Sequence, residues 1–290
     1  MTVAEAFKLY PNIETELLLE HILKKPKEFV LSRPDYRLGS VQTKKLRELA
    51  KRRKKGEPVA YLVGFKYFYG SKFKVNRHIL IPRPETELLV ELALERIKNA
   101  ECRIENVVDV GTGSGIIIIS IAAKLTEYHR LVYDTPELYG IDSSKKALTV
   151  ARQNAKCHGV SKQIRFLRGN LLDPLLPLPL MRARLSGGHR NLIIANLPYL
   201  TPKQCKANPD LKYEPKNALV GGNDGLKYFR ELLKQLSKFH IRNSTFLFEL
   251  DPSQKTQLKF LAKKYLDNFK IEFHKDLASR DRVCQISTVC

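Results

Sequence analysis

Nowhere does the sequence hold the roughly 20 consecutive apolar residues that a membrane helix needs. Its longest candidate, residues 116–123, is far too short. Near the start Glu5, Glu14 and Glu16 interrupt any secretory pattern, and positive charges there are too few for a transit peptide. A cytoplasmic protein with no membrane partner is expected. Cysteine is sparse: Cys102, Cys157, Cys205, Cys284 and Cys290 contain no Cys-x-x-Cys pair and read as free thiols. The seven histidines are scattered, so no metal site is expected. Internal repeats and low-complexity tracts are also missing. Acidic residues are the scarce charge: 30 Asp and Glu against 51 Lys and Arg leave a formal net charge of +21. That field attracts polyanions and speeds encounter with them. It implies proximity to RNA or the ribosome, or else a generally solvated basic surface.

What is present fits about two domains in 290 residues, 43% of them hydrophobic. Residues 12–25 place Ile13, Leu17, Leu18 and His21 at helical spacing, a short helix follows Pro26, and residues 40–55 form a basic amphipathic helix ended by Gly56. Residues 1–60 therefore read as a small helical domain. Its Lys51-Arg52-Arg53-Lys54-Lys55 run is either a solvated helix end or an anion-contacting patch. Between 61 and 81 the pattern turns aromatic and β-branched around Gly70-Ser71, predicting a β-hairpin, so 61–84 is a linker. The prolines of Ile81-Pro82-Arg83-Pro84-Glu85-Thr86-Glu87 fix an extended entry, and Thr86 is placed to cap a helix over 87–98.

Residues 85–290 alternate strands and helices. Val107-Val108-Asp109-Val110 reads as a buried strand that turns through Gly111-Thr112-Gly113-Ser114-Gly115 into an apolar helix. Such a helix start offers free N–H groups and a positive dipole end. A dinucleotide fingerprint wants glycine at the first, third and sixth positions; here Ile116 stands sixth, and no phosphate-loop Lys-Ser or Lys-Thr follows. A second strand, 138–142, ends in Asp142, suited either to bind ribose hydroxyls or to cap a helix beside Ser143 and Ser144. Residues 130–136 read as a small insertion, and a third strand, 164–167, leads to Gly169-Asn170-Leu171. Residues 171–190 read as a loop. A fourth strand, 192–195, delivers Asn196-Leu197-Pro198-Tyr199 at its carboxyl end, the ligand edge of an open parallel sheet. Helix 226–239, strand 245–250, helix 253–267 and strands 270–274 and 283–288 complete the pattern.

The glycine loop resembles the first motif of class I methyltransferases, which use S-adenosylmethionine (SAM) and release S-adenosylhomocysteine. The resemblance implies an α/β Rossmann-like sheet closed by an antiparallel hairpin. It implies that Gly111, Thr112, Gly113, Ser114 and Gly115 cradle the methionine part of SAM, that Asn170 and Leu171 meet its adenine, and that Asn196 borders the same site. Asn196-Leu197-Pro198-Tyr199 resembles the Asn-Pro-Pro-Tyr motif of methyltransferases acting on planar nitrogens. Such a nitrogen has its lone pair delocalised and is a poor nucleophile. The Asn196 side-chain oxygen and the Leu197 carbonyl would hold its two N–H bonds, aim the lone pair at the methyl, and meet the charge that develops. Tyr199 would supply an aromatic wall. Leu197 stands where proline is usual; only its carbonyl is required, although loop rigidity falls.

Further segments extend the likeness along nearly the whole chain: Gly56-Glu57-Pro58-Val59-Ala60-Tyr61-Leu62 with Gly64, the stretch 81–87, Tyr213-Glu214-Pro215 with Ala218-Leu219 and Gly225, and Asp281-Arg282. They are similar to the release factor glutamine methyltransferases, Arg83-Pro84-Glu85-Thr86-Glu87 being the most specific piece and Phe248-Glu249-Leu250-Asp251 only a loose match. The resemblance implies methyl transfer to the glutamine of the Gly-Gly-Gln loop of a class I peptide-chain release factor. The rival is a DNA or RNA adenine or guanine N-methyltransferase, for which no separate target-recognition domain is visible.

Overall fold

The computed structural model describes residues 1–11, 14–99, 104–128, 135–175, 190–238 and 243–288. It begins with five helices, α1 (Val3–Leu9), α2 (Glu14–Leu23), α3 (Lys27–Ser32), α4 (Ser40–Lys54) and α5 (Val59–Val63), packed on a core that includes Leu19, Leu46 and Leu49. Apolar periodicity does not separate α1, yet its start signal is present: Thr2 and Glu5 form a reciprocal capping box. The hairpin expected from residue 61 begins later, because Tyr61 lies in α5. Pro58 opens that helix, Gly64 closes it at φ +81, and Ala60, Leu62 and Val63 are buried, so packing overrides the β-branched composition. The strands are β1 (Phe65–Phe68) and β2 (Ser71–Lys74), turning through Tyr69 and Gly70, both at positive φ.

Beyond α6 (Glu87–Asn99) the chain weaves β3 (Asn106–Val110), α7 (Ile116–Tyr128), β4 (Glu137–Asp142), α8 (Lys145–Cys157), β5 (Ile164–Arg168) and β6 (Asn191–Ala195). It continues through a short helix α9 (Pro202–Ala207), α10 (Lys227–Lys238), β7 (Ser244–Glu249), α11 (Lys255–Tyr265), β8 (Phe269–Lys275) and β9 (Asp281–Thr288). The sheet order is β5-β4-β3-β6-β7-β9-β8; the first five strands are parallel and β9 is antiparallel to both its neighbours. Alternate residues feed the two faces. Val107, Leu192 and Leu247 pack with α6 and α7, whereas Val108, Ile193 and Phe246 pack with α10 and α11. The predicted α/β sheet and its closing hairpin are both present. Of the expected insertion at 130–136, residues 130–134 lie outside the described residues, as do 176–189 of the loop read at 171–190.

Asp109 is fully buried in β3 beneath the glycine turn, where its Oδ2 accepts the Thr112 hydroxyl at 2.6 Å. Its Oδ1 is buried without a hydrogen-bond partner among the described residues. Burial pushes this carboxyl up from 3.8 to about 7. Between those values the folded chain holds a proton that the unfolded chain releases, so stability falls as pH rises through the window. Asp109→Asn removes the titration. Its urea midpoint should fall less than that of the wild type between about pH 4.5 and 7.5; equal slopes would assign the pH dependence elsewhere.

Candidate functional site

The carboxyl ends of β3, β4 and β6 gather the loops singled out in the sequence. Gly111 and Thr112 each donate a backbone N–H to the Ile141 carbonyl at 2.8 Å, which ties the glycine turn to β4. Asp142 accepts from the Gly113 N–H at 2.9 Å and from the Ser144 N–H at 2.8 Å. Asp142 thus braces the start of α8, and it also lines an open cleft of about 130 Å³. Burial raises its pKa, and the two amides pull it down. The cleft is also lined by Gly111, Thr112, Gly113, Ser114, Asn170, Leu171, Asn196, Leu197 and Pro198, so most of the expected cofactor residues converge.

Two members of the loop also make contacts away from the cleft. The Thr112 hydroxyl is spent on Asp109. Gly115 does not line the cleft; a Cβ there would fall 2.6 Å from Ile119 Cδ1 and 3.3 Å from Ala151 Cβ, so its smallness lets α7 and α8 approach. Sequence reasoning does not single out Asn154, fully buried on α8, because its partners are distant in the chain. It accepts the Lys74 N–H at 2.8 Å and donates to the Ser114 carbonyl at 2.9 Å, seating the hairpin against the glycine turn.

Asn196, Leu197, Pro198 and Tyr199 leave β6 into a tightly enclosed backbone. Leu200 exchanges hydrogen bonds with the 219–221 segment, and Gln254 Nε2 donates to the Tyr199 carbonyl at 3.0 Å. A Cβ on Gly221 would sit 2.3 Å from the Pro198 oxygen, so only glycine permits this closure. Leu197 is buried, its Cδ2 3.2 Å from where a Gly111 Cβ would stand. Side-chain packing thus anchors the position that proline usually stiffens.

The Asn196 amide is held from behind. Its Nδ2 donates to Glu249 Oε2 at 2.9 Å and to Thr86 Oγ1 at 3.0 Å. Thr86 donates in turn to Glu249 Oε2 at 2.7 Å, and the Tyr199 hydroxyl donates to Oε1 at 3.1 Å. Thr86 is therefore no helix cap; its hydroxyl is buried in this cluster, and α6 starts after a 3-10 turn, Pro84–Thr86. Glu249, 1% exposed at the end of β7, has its pKa raised by burial, partly offset by these donors and by nearby Arg282. Burial beside Glu249 likewise raises that of Tyr199. Among the described residues nothing donates to Asn196 Oδ1 or to the Leu197 carbonyl. Both acceptors thus stand unused within the described residues.

A second, larger cavity of about 480 Å³ opens on the other side of Asn196, Leu197 and Pro198, between the N-terminal helices and the sheet edge, with Tyr199 in its lining. The segment 80–83 borders both spaces. It is pinned by Glu214, which accepts the Ile81 N–H at 2.9 Å and pairs with the Arg83 guanidinium. Across the cavity, Lys212 Nζ and the Tyr213 hydroxyl donate to the Lys55 carbonyl at 2.8 and 3.1 Å, joining the end of α4 to the sheet domain. Within the basic run, Arg52 is committed to Glu57 and Arg53 to Glu14, leaving Lys51, Lys54 and Lys55 exposed. Among the described residues no His, Cys, Asp and Glu cluster suits a metal, Cys157, Cys205 and Cys284 are free thiols, and no helix is long and apolar enough to cross a membrane.

Comparison with known proteins matches residues 6–64 to the PrmC N-terminal domain family and residues 103–270 to a methyltransferase domain family. Among solved structures, the hMettl16 catalytic domain in complex with the MAT2A 3'UTR hairpin 6 shares the fold. Its TM-score is 0.56 at 11% identity, over 87% of this chain and 82% of that one. The release factor glutamine methyltransferase of Clostridium botulinum is 33% identical over 94% of this chain and 90% of its own. That of Thermodesulfovibrio yellowstonii is 34% identical over 93% of this chain and 90% of its own. At that identity over that length, the chain belongs to the release factor glutamine methyltransferase family.

Proposed function

We propose that this enzyme transfers the methyl group of SAM to the side-chain amide nitrogen of the glutamine in the Gly-Gly-Gln motif of a class I peptide-chain release factor. The observation that carries the reading is the pair of unused acceptors, Asn196 Oδ1 and the Leu197 carbonyl, on the wall shared by two cavities. The smaller cleft fits the cofactor: a Cβ at Gly113 would meet only the Gly111 oxygen, at 3.9 Å, and would stand in open space needed for close approach to the backbone. Asp142 would take the ribose hydroxyls, Asn170 and Leu171 would border the adenine, and Gly111, Gly113 and Ser114 would follow the methionine part. SAM supplies an electrophilic methyl on a sulfonium. Asn196 and Leu197 accept the two N–H bonds of the substrate amide, hold its plane, and oppose the positive charge that grows on nitrogen. Tyr199 walls the approach from the larger cavity.

Residues 1–60 are proposed to dock the protein substrate, because the larger cavity is lined both by the helices and by the reacting loop. Such a substrate places the enzyme in the cytoplasm, where the basic surface lies close to the ribosome and its RNA. Replacing Lys51, Lys54 and Lys55 with Gln should slow association with the release factor and flatten its salt dependence, leaving SAM affinity unchanged. Stopped-flow rates indifferent to these changes would make the run a solvated surface.

Asp142→Ala leaves ligand hydroxyls unpaired and should weaken SAM binding by about 1.5 to 3 kcal/mol. Calorimetry giving wild-type affinity in a folded variant would remove Asp142 from the cofactor site. Asn196→Ala should lower turnover by roughly 10² to 10³ with a smaller effect on SAM affinity.

The test of the substrate is transfer of labelled methyl to a release factor. Label is expected on the Gly-Gly-Gln glutamine and lost when that residue is glutamate, which has no nucleophilic nitrogen. Label accumulating on DNA or RNA, with the release factor untouched, would replace this reading by the nucleic-acid one, in which a base must be flipped into the pocket.

A further inference from the structure

We infer that Glu249 is a positioning residue that decides which way the Asn196 carboxamide faces. The inference rests on the proposed use of Asn196 Oδ1 as a substrate acceptor. An asparagine amide is nearly symmetric in shape, and a half-turn exchanges its oxygen with its NH2 group. In one orientation the reacting nitrogen meets an acceptor; in the other it meets two N–H bonds and is repelled. Packing alone distinguishes these states poorly, so a chemical distinction is required behind the amide.

Glu249 provides it. With Tyr199 donating to Oε1 and Thr86 donating to Oε2 at 2.7 Å, Glu249 acts here as an acceptor, and the Thr86 hydroxyl, its proton spent, presents lone pairs. The two N–H bonds of Asn196 therefore find two acceptors, at 2.9 and 3.0 Å. Turning the amide over would set Oδ1 against Oε2, two acceptors in a buried site with no proton between them. The carboxylate is held in turn: Tyr199 donates to its other oxygen, and Arg282 lies nearby. Arg282 is anchored by Asp276 at 3.2 Å and by the Leu250 carbonyl at 3.4 Å. Thr86 belongs to the Arg83-Pro84-Glu85-Thr86-Glu87 stretch, so this arrangement also gives that motif a chemical task.

The test inverts the hydrogen bond. In Asn196→Asp, assayed at a pH where no proton is shared between them, two carboxylates face each other, and turnover should fall at least about 100-fold. Glu249→Gln alone can still offer its oxygen to Asn196 and its NH2 to the Tyr199 hydroxyl, and should lose at most about 10-fold. When the two substitutions are combined, the new amide NH2 at position 249 donates to the new carboxylate at position 196 and to Thr86, while its oxygen accepts from Tyr199. The outer carboxylate oxygen at position 196 again faces the substrate. The double variant should recover at least about 10-fold over Asn196→Asp, a coupling that independent losses cannot produce. SAM calorimetry and thermal midpoints report whether each variant remains folded. Should Glu249 variants fail to fold, Thr86→Val against Thr86→Ser carries the test, with activity lost in the first and retained in the second. A readout without turnover is the ligand-free protein in NMR: contacts between the Asn196 NH2 protons and the Thr86 methyl should be present in wild type and weakened in Glu249→Met. A double variant no better than Asn196→Asp, or unchanged NMR contacts in folded Glu249→Met, would overturn the inference. If label goes to a nucleic-acid amino group instead, the same four proteins are compared on that acceptor. Failure of the substrate reading and failure of the positioning role then stay distinct.

Discussion

A buried carboxyl group surrounded by hydrogen-bond donors is the constraint on which the 196–199 loop depends. Glu249 sits at the end of β7, beside the β6 exit that carries Asn196, and faces Thr86 at the entry to α6. Three elements far apart in sequence therefore converge on one acceptor. A carboxyl group so deeply removed from water is costly unless both its oxygens find hydrogen-bond partners. Thr86, Asn196 and Tyr199 supply those donors, and in doing so they become fixed themselves. The rigidity of the 196–199 loop thus follows from satisfying one buried carboxyl group.

The same logic extends outward through backbone rather than charge. The Leu200 and Tyr199 backbone is gripped by the 219–221 segment and by Gln254. Leu197 fills the space over Gly111, so the two loops that line the smaller cleft are in contact with each other. Glu214 fixes the strip between the two cavities, and Asn154 fixes the hairpin against the glycine turn. The smaller cleft and the larger cavity are therefore not built independently. Each is bounded by one shared wall, and a displacement of that wall would reshape both at once.

The N-terminal helices and the sheet meet across the larger cavity through a small number of directed contacts. Lys212 and Tyr213 satisfy the Lys55 carbonyl left open at the end of α4, and Arg53 turns back to Glu14 within the helical region. The two arginines of the basic run thereby have a structural assignment, and the remaining lysines carry the charge outward. A formal charge of +21 says that polyanions are attracted. It does not say where, because pairing in space decides which cations remain available.

Local chemistry made much of this protein legible from its sequence. A buried strand, a glycine turn and an apolar helix start recur as one covalent unit, so Gly111 to Gly115 and their place in the sheet could be read directly. The Asn196-Leu197-Pro198-Tyr199 stretch was legible for the same reason, as was the α/β alternation that fixes the sheet. Tertiary structure decided what depends on partners distant in the chain. Thr86 has the composition of a helix cap, and only the proximity of β7 turns its hydroxyl toward Glu249. Residues 61–63 have the composition of a strand, and burial against the helices makes them helical. Gly115 reads as a loop glycine, and only the fold shows α8 packed against it. Sequence specifies which groups are available and the short-range geometry between them; long-range packing selects, for each polar group, which of several possible partners removes it from water at least cost.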